Sequence, residues 1–322
     1  MKKIIHFVLS DSFAGIEQHV DELLTYSNKE EILICNNSIA NYFNKKINIK
    51  IIKNFGRNSL FGKYRLKKLL KEINPDIVHS HGSKTTSIIN SIKRDYKHIA
   101  TVHGVKKNKK IFEKSDLTIG VSEQVISGIN NQTEIITNWW QPQLKKTVKK
   151  NNKYALSVGR LEQIKGFDLL ISSWKNIKTN LVIIGSGKEK KSLEKLIKKN
   201  NLINKINIIE EVSRKELIKY YENASVLVIP SRDEGGPRVA LEALYLEIPV
   251  LSTNVGHMNK IFSKEFLAIK NDQKSLTDLL EQYVDNIHML NQQAIFNFVE
   301  EEFSIERKIE ELNKVYERLF SN

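Results

Sequence analysis

The chain has 322 residues, 40% of them hydrophobic and 27% charged, with one cysteine and a formal net charge of +14. That length suits two domains of ordinary globular composition and excludes a disordered or fibrous class. A lone cysteine excludes an intrachain disulfide and a cysteine-based metal cage, and fits a reducing compartment. The charge is uneven. Residues 1–150 hold 26 Lys/Arg against 13 Asp/Glu, a net +13, whereas residues 151–322 hold 25 against 24, a net +1. A basic first half points to an anionic partner such as a membrane surface, a nucleic acid or an acidic substrate.

In chain order, "MKKIIHFVLSDS" opens with a basic tip and a short apolar run holding His6. It lacks a small-residue cleavage pattern and reads as a first β-strand rather than a signal peptide. Further strands are predicted at "EILIC", "INIKIIK", "DIVHS", "HIATVHG", "LTIGVS" and "TEIIT". Helical patterns separate them. In "GIEQHVDELL", Ile16, Val20, Leu23 and Leu24 share one face. Cys35 reads as a buried strand residue. The helix "GKYRLKKLLKEI" has Leu66, Leu69, Leu70 and Ile73 on one face and Lys63, Lys67, Lys68 and Lys71 over the rest. Such a helix packs by its apolar stripe or lies on anionic lipid.

The polar, lysine-rich "QPQLKKTVKKNNK" reads as the domain linker, placed at residues 146–153 between an N-terminal domain of 1–145 and a C-terminal domain of 154–300. Strands resume at "YALSVGR", "LVIIGSG", "INIIEEV", "SVLVIPS", "IPVLST" and "FLAIK". Ser213 and Glu216 form a capping box ahead of "LIKYYENA". Residues 301–322 make an amphipathic last helix, a candidate to pack back on the N-terminal domain. No stretch approaches the roughly 18 apolar residues of a membrane span. Strands alternating with helices predict an α/β chain of two doubly wound, Rossmann-like domains facing each other across a cleft, with ligands beyond the carboxyl ends of the strands.

Two strand ends concentrate candidate chemistry. In "SRDEGGPRVALEAL" a strand runs into a turn holding Glu234, Gly235 and Gly236, then a helix with Pro237 at its first position and Glu242 in its second turn. The helix start suits a phosphate or a sugar hydroxyl, and the glycines admit a ligand close to the backbone. The alternative is an ordinary corner with solvated glutamates. In "SVGRLEQIKGFDLLI", Arg160 and Lys165 occupy the turn after a strand. Cations there suit a diphosphate, or form a solvated basic loop. His79 and His81 in "HSH" are read as lying on opposite faces of a strand, hence as a poor metal pair.

Taken together, "VGRLEQIKGFDLLI", "LVIIGSGKEKKSLEKLI" and "SRDEGGPRVALEAL" with "IPVLSTNVG" resemble the retaining glycosyltransferases of family 4, which have the GT-B fold. Glu234 and Glu242 match that family's E-x7-E motif. The first half agrees through "FAGIEQHVDELL", "PDIVHSHGSK", "TVHG" and "IGVSEQV". The resemblance implies that Arg160 and Lys165 hold the diphosphate of a nucleotide-sugar, with UDP the expected nucleotide, and that Glu242 takes the ribose hydroxyls. Glu234 and the Gly235–Gly236 amides would hold the donor sugar. Gly15 would offer its backbone to the phosphates, His103 would contact sugar or acceptor, and the backbone near Val212 would meet the base. The expected reaction is metal-independent transfer, with no cofactor, to a glycan or lipid-linked acceptor in bacterial lipopolysaccharide or capsule assembly. The chain would be cytoplasmic, or peripheral on the inner face of the membrane.

The absence of any Asp-x-Asp in the sequence speaks against a metal-bound diphosphate. "SFAGIE" is no G-x-G-x-x-G, which speaks against a dehydrogenase. No nucleic-acid-binding module is recognised. Alternatives are a nucleotide-sugar epimerase or hydrolase of the same fold, and a non-catalytic nucleotide-sugar binding protein. The chain departs from the family at Glu247 and His257, where glycines are usual, at Lys260, where a glutamate is usual, and at Ala14, where a second glycine often precedes Gly15.

Overall fold

A computed structural model describes residues 2–146 and 153–321. They form two compact units, one from residues 1–138 with 305–322 and the other from residues 139–304. Of the predicted linker, residues 147–152 lie outside the described residues.

The first unit carries β1 (Ile4–Phe7), β2 (Glu31–Cys35), β3 (Asn48–Ile51), β4 (Ile77–His81), β5 (Lys97–Val102), β6 (Leu117–Gly120) and β7 (Thr133–Ile135). All neighbours pair parallel, in the order β3-β2-β1-β4-β5-β6-β7. The second unit carries β8 (Tyr154–Val158), β9 (Leu181–Ile184), β10 (Ile206–Ile209), β11 (Ala224–Ile229), β12 (Val250–Thr253) and β13 (Leu267–Ala268). They too are parallel, in the order β10-β9-β8-β11-β12-β13. Every apolar run predicted as a strand forms one. The runs are nearly continuous because a parallel sheet is covered on both faces. In β2, for instance, Ile34 enters one core cluster while Leu33 and Cys35 enter the other. Burial pushes the Cys35 thiol up to about 12.

The helices follow the same logic. Val20 and Leu23 of the helix Gly15–Tyr26 are buried. The helix Arg214–Tyr221 starts at the predicted box, with Glu216 N–H donating to Ser213 Oγ at 3.3 Å and Ser213 N–H to Glu216 Oε2 at 3.1 Å. In the helix Leu60–Ile73, Leu66 and Leu70 face the core, so the predicted leucine stripe packs inward.

The boundary between the units falls earlier than the sequence suggested, at Trp139. Residues 139–146 belong to the second unit because their side chains do. Trp140 stacks on Tyr245 with ring centroids 3.9 Å apart, Leu144 joins the second core, and Lys146 bridges Glu247 at 3.3 Å and Glu300 at 2.6 Å. The helix Ile305–Ser321 belongs to the first unit. There Tyr316 reaches His79 at 2.8 Å, Arg318 pairs with Glu134 at 2.7 Å, and Lys2 lies 4.4 Å over the Phe320 ring.

Strand order decides where ligands can go. In each sheet the connections reverse direction beside the first strand of the unit, between β1 and β4 and between β8 and β11. The chain leaves those two strands towards opposite sides, opening a crevice at their carboxyl ends.

Candidate functional site

At the reversal point of the second unit, β8 runs into Gly159 and Arg160, a single 3-10 turn Gln163–Lys165, and Gly166 at φ 68. A Cβ on Gly166 would lie 2.1 Å from the carbonyl oxygen of Pro230, at the end of β11. Only glycine allows that approach. Arg232 then clamps the two loops. Its backbone N–H donates to Ile164 O at 2.8 Å, and its guanidinium donates to Gln163 O and to both Asp168 oxygens, each at 2.7 Å. Partial burial pushes the Asp168 carboxyl up, but the Arg232 hydrogen bonds overcome this and hold it below its ordinary range. The clamp sets Lys165 Nζ against Glu234 Oε1, which also accepts from Ser231 Oγ at 2.9 Å.

Beside this pair lies a cavity of about 340 Å³. It gathers Arg160, Lys165, Val212, Glu234, Gly236 and Glu242 from the sequence reading. Arg160 stays largely exposed and pairs with Glu162 at 2.7 Å. Glu242 is buried, accepts from Tyr221 Oη at 3.0 Å, and has an Arg214 guanidinium nitrogen at 3.8 Å. The Tyr221 phenol is itself pushed well above its ordinary value by burial and then by Glu242. Gly235 is buried beside the cavity, where Gly256 at φ 58 packs so tightly that a Cβ would meet Gly235 O at 3.0 Å. Pro237 is the N-cap, and the helix begins one residue later than predicted, at Arg238, because the ψ of 107° at Pro237 is extended.

Sequence reasoning passed over Arg214, Tyr221 and Arg238, which line the cavity or hold Glu242. Arg238 had a usable signal, since it directly follows the helix-starting proline. Tyr221 had none, because its partner is 21 residues away.

Gly15 and His103 lie in the first unit. Gly15 opens the helix Gly15–Tyr26, where Ala14 N–H donates to Glu17 Oε2 at 2.9 Å. His103 follows β5 and is half-buried within a group of five imidazoles with His6, His19, His79 and His81. The reading of His79 and His81 as opposed is wrong. Residues two apart in a strand share a face, and these rings stack with centroids 4.3 Å apart. The β1–β4 register sets His6 beside His79. Nitrogens of His6, His79 and His81, and of His19, His81 and His103, lie within 4.8 Å of one another, so the residue set could hold a metal. Burial, followed by neighbouring imidazoles, holds His79 and His81 well below the ordinary histidine value. Burial and then Lys106 hold His103 down at about 3.

Comparison with known proteins agrees with this geometry. Residues 13–132 match the model described as Glycosyltransferase Family 4, and residues 141–295 the model described as Glycosyl transferases group 1. The chain is 28% identical to an uncharacterized glycosyltransferase of Methanocaldococcus jannaschii, over 99% of each. It is 26% identical to the O-antigen biosynthesis glycosyltransferase WclY of Escherichia coli, over 79% of this chain and 82% of that one. With the capsular polysaccharide biosynthesis glycosyltransferase CapM of Staphylococcus aureus it shares 32% identity, over 49% of this chain and 44% of that one. The solved structure of Anabaena HepE in complex with UDP and glucose matches 99% of this chain and all of that one, with a TM-score of 0.83 at 14% identity, a likeness of fold. Two parallel-sheet Rossmann-like domains of this kind define the GT-B class of α/β enzymes. The chain is a glycosyltransferase with a family 4 domain at residues 13–132 and a group 1 domain at residues 141–295.

Two outcomes follow from the site's construction. Gly166→Ala should lower stability by about 2 kcal/mol or more, because the clash is with backbone and the φ is left-handed; urea unfolding of the two proteins measures it. The buried histidines should make the chain acid-labile. Unfolded imidazoles titrate near 6.5, whereas His79, His81 and His103 stay neutral well below that in the fold, so the unfolded state binds more protons. Stability is therefore present above about pH 6.5 and is lost as pH falls towards the folded values, by up to about 1.4 kcal/mol per pH unit for each fully buried ring. Unfolding midpoints between pH 7.5 and 5 check the sign, and a flat profile would contradict it.

Proposed function

We propose that the chain transfers a sugar, with retention of anomeric configuration, from a nucleoside-diphosphate sugar to a glycan or lipid-linked acceptor in bacterial surface polysaccharide assembly. The observation that carries this reading is the cavity beyond β8 and β11, where cations, a buried carboxylate and a clamped glutamate suit three parts of one donor. Arg160 and Lys165 serve the diphosphate, Arg160 exchanging its exposed pairing with Glu162 for the ligand. Glu242, its carboxylate held by Tyr221, accepts from the ribose hydroxyls. Glu234 and the amides of Gly235 and Gly236 hold the sugar, and the backbone near Val212 meets the base.

Gly15 and His103 keep the roles the resemblance implies, towards the phosphates and towards sugar or acceptor. As the donor bond breaks, negative charge grows on the diphosphate, and positioned cations lower that barrier. The attacking hydroxyl enters from the leaving-group side. The reading needs no metal, because Arg160 and Lys165 supply the positive charge. UDP is the nucleotide proposed, supported by its presence in the complex of the structurally similar HepE, and the names of CapM and WclY support the pathway.

A membrane surface is the second partner proposed. Leu60, Phe61 and Tyr64 of the helix Leu60–Ile73 are exposed by 82%, 63% and 66%, amid the exposed Arg57, Arg65, Lys67 and Lys68. Apolar side chains ringed by cations suit an anionic lipid surface. Among the described residues no helix is long and apolar enough to cross a membrane.

UDP at 100 times its Kd should stabilise the protein by about 2.7 kcal/mol, and Glu242→Gln should weaken that binding about tenfold or more. Lys165→Ala should cut turnover on the order of 100-fold. A thermal-shift screen of nucleotides, followed by acceptor-dependent UDP release, tests the reading. UDP released equally without acceptor would indicate a hydrolase instead. Co-sedimentation with anionic vesicles, lost in a variant with Leu60, Phe61 and Tyr64 changed to Ser, tests the membrane contact; equal weak binding to neutral vesicles would refute it.

A further inference from the structure

Four groups of the first unit, one carboxylate and three imidazoles, form a single series of close contacts. His6 Nε2 lies 3.5 Å from Glu31 Oε1, His6 Nδ1 lies 3.0 Å from His81 Nε2, and His81 Nδ1 lies 3.2 Å from His103 Nε2. Both nitrogens of His6 and both of His81 are thus engaged, and the series ends on His103, whose Nδ1 remains for a ligand. We infer that Glu31, acting through His6 and His81, is a positioning residue that fixes His103 as the Nε2–H tautomer and so presents Nδ1 as a hydrogen-bond acceptor to a substrate hydroxyl. The inference deepens the proposed function and rests on its assignment of His103 to sugar or acceptor.

With each ring neutral, the polarity follows from donor and acceptor capacity. An ionised carboxylate can only accept, so the proton towards it sits on His6 Nε2. A neutral ring carries one N–H, which leaves His6 Nδ1 as an acceptor and requires N–H on His81 Nε2. The same step repeated requires N–H on His103 Nε2 and a lone pair on Nδ1. Burial keeps water from scrambling the series, since Glu31, His6 and His81 are all buried. Burial alone would raise the Glu31 carboxyl, but its hydrogen bonds to His6 and Ser27, with the charge of Lys29, bring it below its ordinary range, so it stays the fixed acceptor.

Tyr316, from the last helix, supports the same direction. Its hydroxyl lies 2.8 Å from His79 Nδ1 and 3.4 Å from His6 Nε2, so it can donate to the first while accepting from the second. His79 then donates through Nε2 to Thr101 Oγ1 at 2.6 Å, outside the series. A metal on either histidine triplet would have to take nitrogens that these hydrogen bonds already use.

Nitrogen-15 NMR of the full chain, labelled at histidine and recorded at pH 7.5, reads the tautomers directly, with His81→Gln and His103→Gln serving for assignment. The expected result is protonated Nε2 and unprotonated Nδ1 on His6, His81 and His103. In Glu31→Gln, whose amide can both donate and accept, His103 should lose its single tautomer, and turnover should fall about tenfold or more with the donor KM unchanged. Nδ1–H on His103 in the wild type would overturn the inference, as would an unchanged His103 signature in Glu31→Gln. Ring shifts that respond to one equivalent of Zn²⁺ or to a chelator would overturn it in favour of a metal site. If Glu31→Gln does not fold, the wild-type tautomers decide alone. Failure of the wild type to bind UDP would instead defeat the proposed function, and would leave the tautomer result standing.

Discussion

The second unit is organised by one close contact, the turn at Gly166 lying against the carbonyl of Pro230. Loops leaving β8 and β11 emerge beside each other because those strands pair. They stay together because no side chain stands between them and because Arg232 ties one loop to the other. Without that approach, Lys165 and Glu234 would be two solvated side chains on separate loops. With it they form a half-buried ion pair at the edge of a cavity. The same economy of side chains recurs at Gly185, where a Cβ would lie 1.9 Å from Gly159 O.

In the first unit the equivalent reversal point has a different character. Residues that would ordinarily be apolar on the covered face of β1 and β4 are His6, His79 and His81. Buried polar rings are tolerable only when hydrogen-bonded, and here they bond chiefly to one another, to Glu31 and to Tyr316. That dependence makes the last helix part of the site's construction, because its tyrosine completes the set. It also couples the site to pH, since neither His79 nor His81 can gain a proton without giving up a hydrogen bond.

The departures from the family pattern have local accounts. Glu247 follows the helix Arg238–Tyr245 at φ 59, the left-handed position where glycine is unstrained. Its carboxylate meets Lys146, which ties residue 247 to the stretch leading out of the first unit's sequence. His257 is fully buried with its ring 5.6 Å from Phe303, so it fills space in the core where a glycine would leave a void. Lys260 is exposed, and nothing in the structure explains its replacing a glutamate. Ala14 at φ −140 is extended backbone that any residue adopts, so a second glycine is not needed there for conformation.

The sequence by itself determined the strands, because each apolar run is a local pattern read without knowing its neighbours. It also placed the two corners at Arg160–Lys165 and Glu234–Glu242 after strand ends, because strand end, turn and helix start are contiguous there. The unit boundary at Trp139 was not legible, since it depends on which core accepts Trp140. The shared face of His79 and His81 was legible from the period of a strand alone, and the reading of them as opposed missed it. Only the tertiary structure decided that Tyr221 holds Glu242 and that Glu31, His6, His81 and His103 fall in line. Those partners sit on separate elements, and strand order and register, which no local pattern encodes, bring them within hydrogen-bonding reach.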